Sequence, residues 1–132
     1  VAGNAGVFSN LGDMSKYALM LTNGGKYKGQ HFLSPTVFEK SIRNYTSKYK
    51  EARGLGFKLT DSRENTFAEL FSPGSFGHTG YTGTSIVVDK ASGLYVILLT
   101  NRVHADKYGE EDILRFRRQF HNSIAATYSR MG

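Results

Sequence analysis

The run Gly77-His78-Thr79-Gly80-Tyr81-Thr82-Gly83-Thr84-Ser85 gathers the residue types of this 132-residue chain best suited to chemistry on a carbonyl or an anion. It supplies an imidazole and several hydroxyls. Glycines at every third position leave backbone N–H and C=O groups uncovered, so a ligand or another chain segment can approach them closely. Two readings follow from the residues themselves: a twisted edge strand with a bulge, its glycines needed only for packing, or a binding edge. A phosphate cradle is disfavoured, because such a loop carries Gly-Lys-Ser or Gly-Lys-Thr at the opening of a helix. Here the glycines lead into the β-branched run Ser85-Ile86-Val87-Val88.

The other histidines, His31, His104 and His121, show no HxH or HExxH spacing with His78 or each other, and the chain has no cysteine. No metal or other cofactor is expected, and a disulfide or thiolate site is excluded. His31 falls in a polar turn and His121 in a helix, where surface positions are the default reading. Seventeen Lys and Arg against 11 Asp and Glu give a net charge of +6, which raises nucleic acid as a partner. The one dense basic patch, Arg115, Arg117 and Arg118, reads instead as the solvated face of an amphipathic helix. With no RNP, zinc-finger or helix-turn-helix pattern beside it, nucleic acid is not expected. The longest apolar run, Leu94 to Leu99, is far short of the roughly 20 residues of a membrane span.

The elements that must position the glycine-rich run are legible in part. Leu11, Met14, Ala18 and Leu21 recur at helical spacing, with Ser9 or Asn10 as N-cap and Gly24-Gly25 as terminator, predicting a helix over about residues 11–23. Ser34-Pro35 opens a second helix reaching about Asn44. Residues 46–53 read as a solvated lysine-rich loop, 54–59 as a half-buried strand, 61–65 as a turn and 67–71 as another short strand. Ser85–Val88 and Leu94–Thr100, joined by Asp89-Lys90-Ala91-Ser92-Gly93, form a β-hairpin. The second of these strands is apolar at consecutive positions, so helices should cover both its faces and its place should be central. Ile113, Phe116, Phe120 and Ile124 stripe a long last helix from Glu110 to Arg130, with Glu110, Glu111 and Asp112 at its dipole-favoured end. Hydrophobic residues at 39%, with 9 Phe and 8 Tyr, suffice for one packed core and argue against disorder despite 15 glycines.

The run Gly77 to Ser85, followed by Ile86-Val87-Val88-Asp89 and then Val96-Ile97-Leu98-Leu99-Thr100-Asn101-Arg102, resembles the C-terminal part of the serine β-lactamase-like hydrolases. That family includes class C β-lactamases, DD-peptidases (penicillin-binding proteins), esterases and muropeptide-acting amidases. The likeness extends to Gly3-Asn4-Ala5-Gly6-Val7-Phe8-Ser9, Leu19-Met20-Leu21-Thr22-Asn23-Gly24-Gly25 and Gly54-Leu55-Gly56-Phe57, in the right order over nearly the whole chain. It implies an α/β (α+β) fold, an antiparallel sheet with helices on both faces. His78-Thr79-Gly80 matches the family's Lys-Thr-Gly or His-Thr-Gly cleft motif. The resemblance implies that His78 and Thr79 contact the substrate's polar or anionic end, that Gly80 lets the acyl group lie along the strand, and that the Tyr81 backbone N–H is one of two oxyanion-hole donors.

Two departures shape the expectation. The family's Ser-x-x-Lys nucleophile motif has no supported match: Ser47-Lys48-Tyr49-Lys50 has the spacing but follows a helix, and no Tyr-x-Asn is present. Residues 1–132 are therefore expected to form a partial domain, the C-terminal third of a larger catalytic domain, inactive alone and prone to self-association or pairing with the N-terminal part. A binding module that never had a nucleophile is the alternative. Histidine in place of lysine, with an ordinary pKa near 6.5, holds a carboxylate less firmly and favours a peptidase, amidase or esterase over a β-lactamase. The substrate implied is a small or peptidoglycan-like acyl compound. The resemblance implies a cell-envelope or extracellular setting, and the residues leave a cytoplasmic one open.

Overall fold

The computed structural model describes residues 5–62, 68–104 and 110–129. Helix α1 (Leu11–Thr22) starts as its sequence predicts, with the Asn10 side chain accepting from the Asp13 N–H at 3.0 Å and satisfying one of the donors a helix start leaves free. After Gly24-Gly25 the polar turn folds into a small hairpin, β1 (Lys26–Tyr27) with β2 (Gln30–His31). Helix α2 (Pro35–Ser41) is capped by Ser34, whose hydroxyl accepts from the Val37 N–H at 3.3 Å. It stops short of Asn44 because its partners are taken. The Ser41 carbonyl accepts from Leu55 N–H at 2.7 Å, and Tyr45 N–H donates to Arg53 O at 2.9 Å.

Strands β3 (Lys58–Leu59), β4 (Phe76–Thr79), β5 (Ser85–Val88) and β6 (Tyr95–Leu98) form one antiparallel sheet in that order. Only the last two residues of the strand expected at 54–59 are extended. Gly54 N–H donates to Phe57 O at 3.0 Å and closes a turn ahead of them. The strand expected at 67–71 is absent where described: Phe67 lies outside the described residues, and residues 68–71 form a turn. The N–H groups of Glu69 and Leu70 donate to the Asn122 side chain at 3.0 and 3.2 Å, so no strand partner is available to them. Of the turn expected at 61–65, residues 63–65 are likewise outside the described residues. The β5–β6 hairpin forms as expected. Asp89 fastens its loop by accepting from Ala91 N–H at 3.0 Å and Ser92 N–H at 3.2 Å.

Helices cover both faces of this sheet. On one side Ala18 and Leu21 of α1 and Phe38 of α2 pack with Phe76, Ile86 and Val88. On the other, Val87 and Val96 meet Phe71 and Ala125, the last from helix α3 (Glu110–Tyr128). The centre of the sheet is not where the apolar run placed it. All four residues of β5 are buried, whereas β6 has β5 as its only partner strand among the described residues and stands at an edge. A consecutive apolar run reports cover on both faces, and α1 and α3 supply that cover without a flanking strand.

The buried face of α3 is also rotated from the expected stripe. Arg117, His121 and Ala125, spaced by four, are buried, while Phe116 is 49% exposed. His121 reaches the hydroxyl of Ser85, its Nε2 3.1 Å from Oγ, and Phe71 packs edge-on against its ring. The surface position expected for His121 and the solvated position expected for Arg117 are both overturned. Arg130, placed at the end of this helix by sequence, lies outside the described residues, as do residues 1–4.

Candidate functional site

The free edge of β4 defines the site. Strand β3 pairs only with Phe76 and Gly77, so past Gly77 the outer side of β4 has no partner strand among the described residues. Gly80 N–H donates to Thr84 O at 2.7 Å, across the hairpin. Since antiparallel backbone groups alternate direction along a strand, His78 and Gly80 present theirs to β5, and the N–H groups of Thr79 and Tyr81 face the open edge. The carbonyls of those two residues are taken by His78 Nδ1 and Arg102 Nε. The Tyr81 N–H donates to no described residue. A chain or ligand lying along this edge would meet those groups.

Close packing bears on all three spaced glycines. A Cβ on Gly77 would sit 1.9 Å from the Ile86 carbonyl oxygen, and Gly83, at φ 98°, is pressed against Thr100 and Ile113. Gly80 has a tight neighbour as well, with Thr84 Oγ1 2.2 Å from where its Cβ would be. The packing reading is met inside the sheet, and the edge beyond Gly77 has no partner strand among the described residues.

His78 stands on this edge with both ring nitrogens engaged. Nδ1 lies 2.9 Å from the Thr79 carbonyl oxygen and Nε2 lies 3.2 Å from Arg53 Nη1. A carbonyl only accepts and a guanidinium only donates. The consistent tautomer is therefore a neutral ring, protonated on Nδ1 and accepting from Arg53 at Nε2. Desolvation against the sheet is the largest cause holding the ring below its ordinary pKa, and the charges of Arg53 and Lys58 act in the same direction. Glu51 joins those two cations, at 2.8 Å from Arg53 and 2.6 Å from Lys58. Arg53 escaped the sequence reading because it ends a loop rich in lysines. An isolated bridge to Lys58 brings it beside β4.

Two arginines grip the turn between β4 and β5. Arg102 Nε donates to Tyr81 O at 2.7 Å, and its guanidinium lies over the Tyr81 ring at 4.5 Å. Arg117 Nη2 donates from beneath to Gly80 O at 3.2 Å and to Thr84 O at 3.4 Å. A groove of about 470 Å³ is lined by Arg102 itself and by Thr100, Asn101, Ile113 and Phe116 among others. Neither His78 nor Thr79 lines it. Ser47 and Lys50 sit on an exposed turn. Among the described residues no cluster could hold a metal ion, and no helix is long and apolar enough to cross a membrane.

Comparison with known proteins gives this geometry a context. Residues 1–118 match the family model described as Beta-lactamase. A protein of Escherichia coli O157:H7 named "Putative D-alanyl-D-alanine carboxypeptidase" is 34% identical over 109 residues, which are 80% of this chain and 24% of that protein. Proteins of the same name from Escherichia coli K12 and Salmonella gallinarum are each 33% identical over the same lengths. The chain thus spans about a quarter of the length of these relatives. The crystal structure of a β-lactamase from Mycobacterium bovis superposes with a TM-score of 0.71 at 20% identity, over 91% of this chain and 44% of that one, and shares its fold. On the breadth of the family match, and with the sheet and its helices laid out as that fold requires, the chain belongs to the serine β-lactamase-like family of hydrolases.

Proposed function

We propose that this chain is the C-terminal third of a serine acyl-transfer hydrolase, and that it supplies the cleft strand and one oxyanion-hole donor for a peptidoglycan-like acyl substrate. The observation that carries the reading is the open edge of β4, where the Tyr81 N–H has no partner among the described residues and the Thr79 N–H faces the same way. The acyl part of a peptide or ester would lie along that edge. Its carbonyl oxygen, negative once a serine hydroxyl has added to the carbon, would be met by the Tyr81 N–H. A preorganised donor of this kind is worth about 10²- to 10³-fold in rate. Gly80 leaves the approach clear, Thr79 offers its hydroxyl, and the imidazole of His78, backed by Arg53, faces the substrate's polar end. The names of the relatives and the histidine of the cleft motif both favour a peptidase, amidase or esterase over a β-lactamase.

The serine and its base belong, in this reading, to residues encoded before Val1. The test compares the 132-residue chain with the longer polypeptide, using a fluorescent penicillin as acylating probe and a D-alanyl-D-alanine peptide as substrate. Labelling and turnover by the longer polypeptide, with none by the chain alone, is the expected result. A longer polypeptide that binds the peptide without ever being acylated would show a binding module instead.

A further inference from the structure

We propose that Arg117 is a positioning residue for the Tyr81 N–H, holding and polarising the peptide unit that donates it; this rests on the oxyanion role given to that N–H above. The Gly80 carbonyl and the Tyr81 N–H belong to one peptide plane, in which a trans bond points them in opposite directions. Whatever fixes the oxygen fixes the donor. That oxygen is held inward by Gly83 N–H at 3.0 Å and by Arg117 Nη2 at 3.2 Å, so the N–H is turned outward, away from α3.

Arg117 is only 3% exposed, and among the described residues the charge acting on it is that of Arg102, not of a carboxylate. Its Nε has no hydrogen-bond partner there either. A buried cation solvated by two backbone carbonyls is costly, and desolvation holds its pKa below the ordinary arginine value. The placement gains a charge-assisted bond in a region of weak screening. An amide whose oxygen accepts such a bond becomes a stronger donor at its nitrogen, the cooperative polarisation of linked hydrogen bonds. Arg102 fixes the next carbonyl, that of Tyr81, from the other side. The Tyr81 N–H therefore lies between two carbonyls, each held by a guanidinium group.

The sequence itself offers a direct probe. Gly80-Tyr81 is the only Gly-Tyr step in the chain, so carbonyl-¹³C glycine combined with ¹⁵N tyrosine isolates this one amide by NMR. In Arg117→Met the Tyr81 amide proton is expected to move upfield. In Arg117→Lys, which keeps a buried charge and serves should the first variant not fold, it should move part of the way. In Arg118→Met, which removes only an exposed contact with Glu69, it should stay in place. In the longer polypeptide Arg117→Lys should lower kcat about tenfold with KM held, since a detuned donor acts on the transition state and loses less than a deleted one. A Tyr81 resonance unmoved in both Arg117 variants, or a loss confined to KM, would overturn the proposal. Should the longer polypeptide prove inert toward acyl substrates, the oxyanion role and the hydrolase reading fall together, whereas an active polypeptide with an unmoved resonance removes only the part given to Arg117.

Discussion

Arg53 and His78 are 25 residues apart in sequence, yet Nη1 of the guanidinium stands 3.2 Å from Nε2 of the imidazole. The contact exists because β3 pairs with the first half of β4 and carries the end of the preceding loop alongside it. Its consequence is electrostatic. A second proton on the ring would point at a permanent cation, so the neutral ring is the stable form and the positive charge at this edge belongs to Arg53 and Lys58.

The first prediction is a titration. His78 is held below the ordinary histidine value of about 6.5, desolvation first and the neighbouring cations after it. For a group whose folded pKa is depressed, the stabilisation is complete above the unfolded value and is lost as pH falls through the folded one. The chain should therefore lose stability as pH drops below about 6.5. Arg53→Met should raise the His78 midpoint toward its ordinary value without restoring it, because desolvation remains. Ring resonances followed by NMR decide this, and a native midpoint at or above the ordinary value would contradict it.

A second prediction concerns substrate discrimination in the longer polypeptide. Both ring nitrogens of His78 are engaged, with Thr79 O and Arg53, so a substrate carboxylate must replace the Thr79 carbonyl as acceptor of the Nδ1 proton. His78→Ala should then reduce kcat/KM more for substrates with a carboxylate near the scissile bond than for neutral esters, by about tenfold, the scale of one hydrogen bond to a charged group. Thr79→Val should act in the same direction less steeply, since it removes one hydroxyl and keeps the shape. Equal losses on both substrate classes would mean that His78 only buttresses the strand edge through the Thr79 carbonyl.

What could be read from sequence was local, and what could not was tertiary. The caps at Asn10 and Ser34 and the hairpin loop from Asp89 to Gly93 rest on hydrogen bonds within a few residues, which residue type and spacing specify. The His78-Thr79-Gly80 motif was legible for its composition, although the openness of its edge depends on how early β3 stops pairing. Arg117 and His121 went unread because a polar residue in a helix is by default a surface one. Only the rotation of α3 against β5 turns them inward, toward the carbonyls of Gly80 and Thr84 and the hydroxyl of Ser85. Arg53 gave no signal at all, since its partner lies on another strand.

The third prediction tests the hairpin fastening. Asp89 is 4% exposed and accepts from the N–H and hydroxyl of Ser72 as well as from its own loop. Desolvation alone would raise its carboxyl, and the hydrogen bonds from Ser72 and Ser92 outweigh it, leaving the group below its ordinary range. Asp89→Ala strands several of these donors and should cost about 2–4 kcal/mol, the scale of a buried hydrogen-bond cluster. Chemical denaturation would show it, and a change under about 0.5 kcal/mol, ordinary for a surface substitution, would mean that the loop holds without it.

The last prediction concerns association. The outer side of β6 has no partner strand among the described residues, and the chain beside it exposes apolar side chains: Leu99 at 47%, Val103 at 43% and, across the groove from Thr100, Phe116 at 49%. An unpaired strand edge next to an apolar patch is a template for another chain. The 132-residue chain alone should therefore self-associate, or be held by the N-terminal part of the longer polypeptide when that is supplied. A lysine at the end of an edge strand blocks such pairing, so Leu99→Lys combined with Phe116→Glu should shift the chain to monomer while leaving the β5–β6 hairpin intact. Sedimentation of both forms at tens of micromolar reads this directly. A native chain that sediments as a lone particle of 14.6 kDa and unfolds cooperatively would show that β6 needs no neighbour and that this chain is a self-sufficient domain.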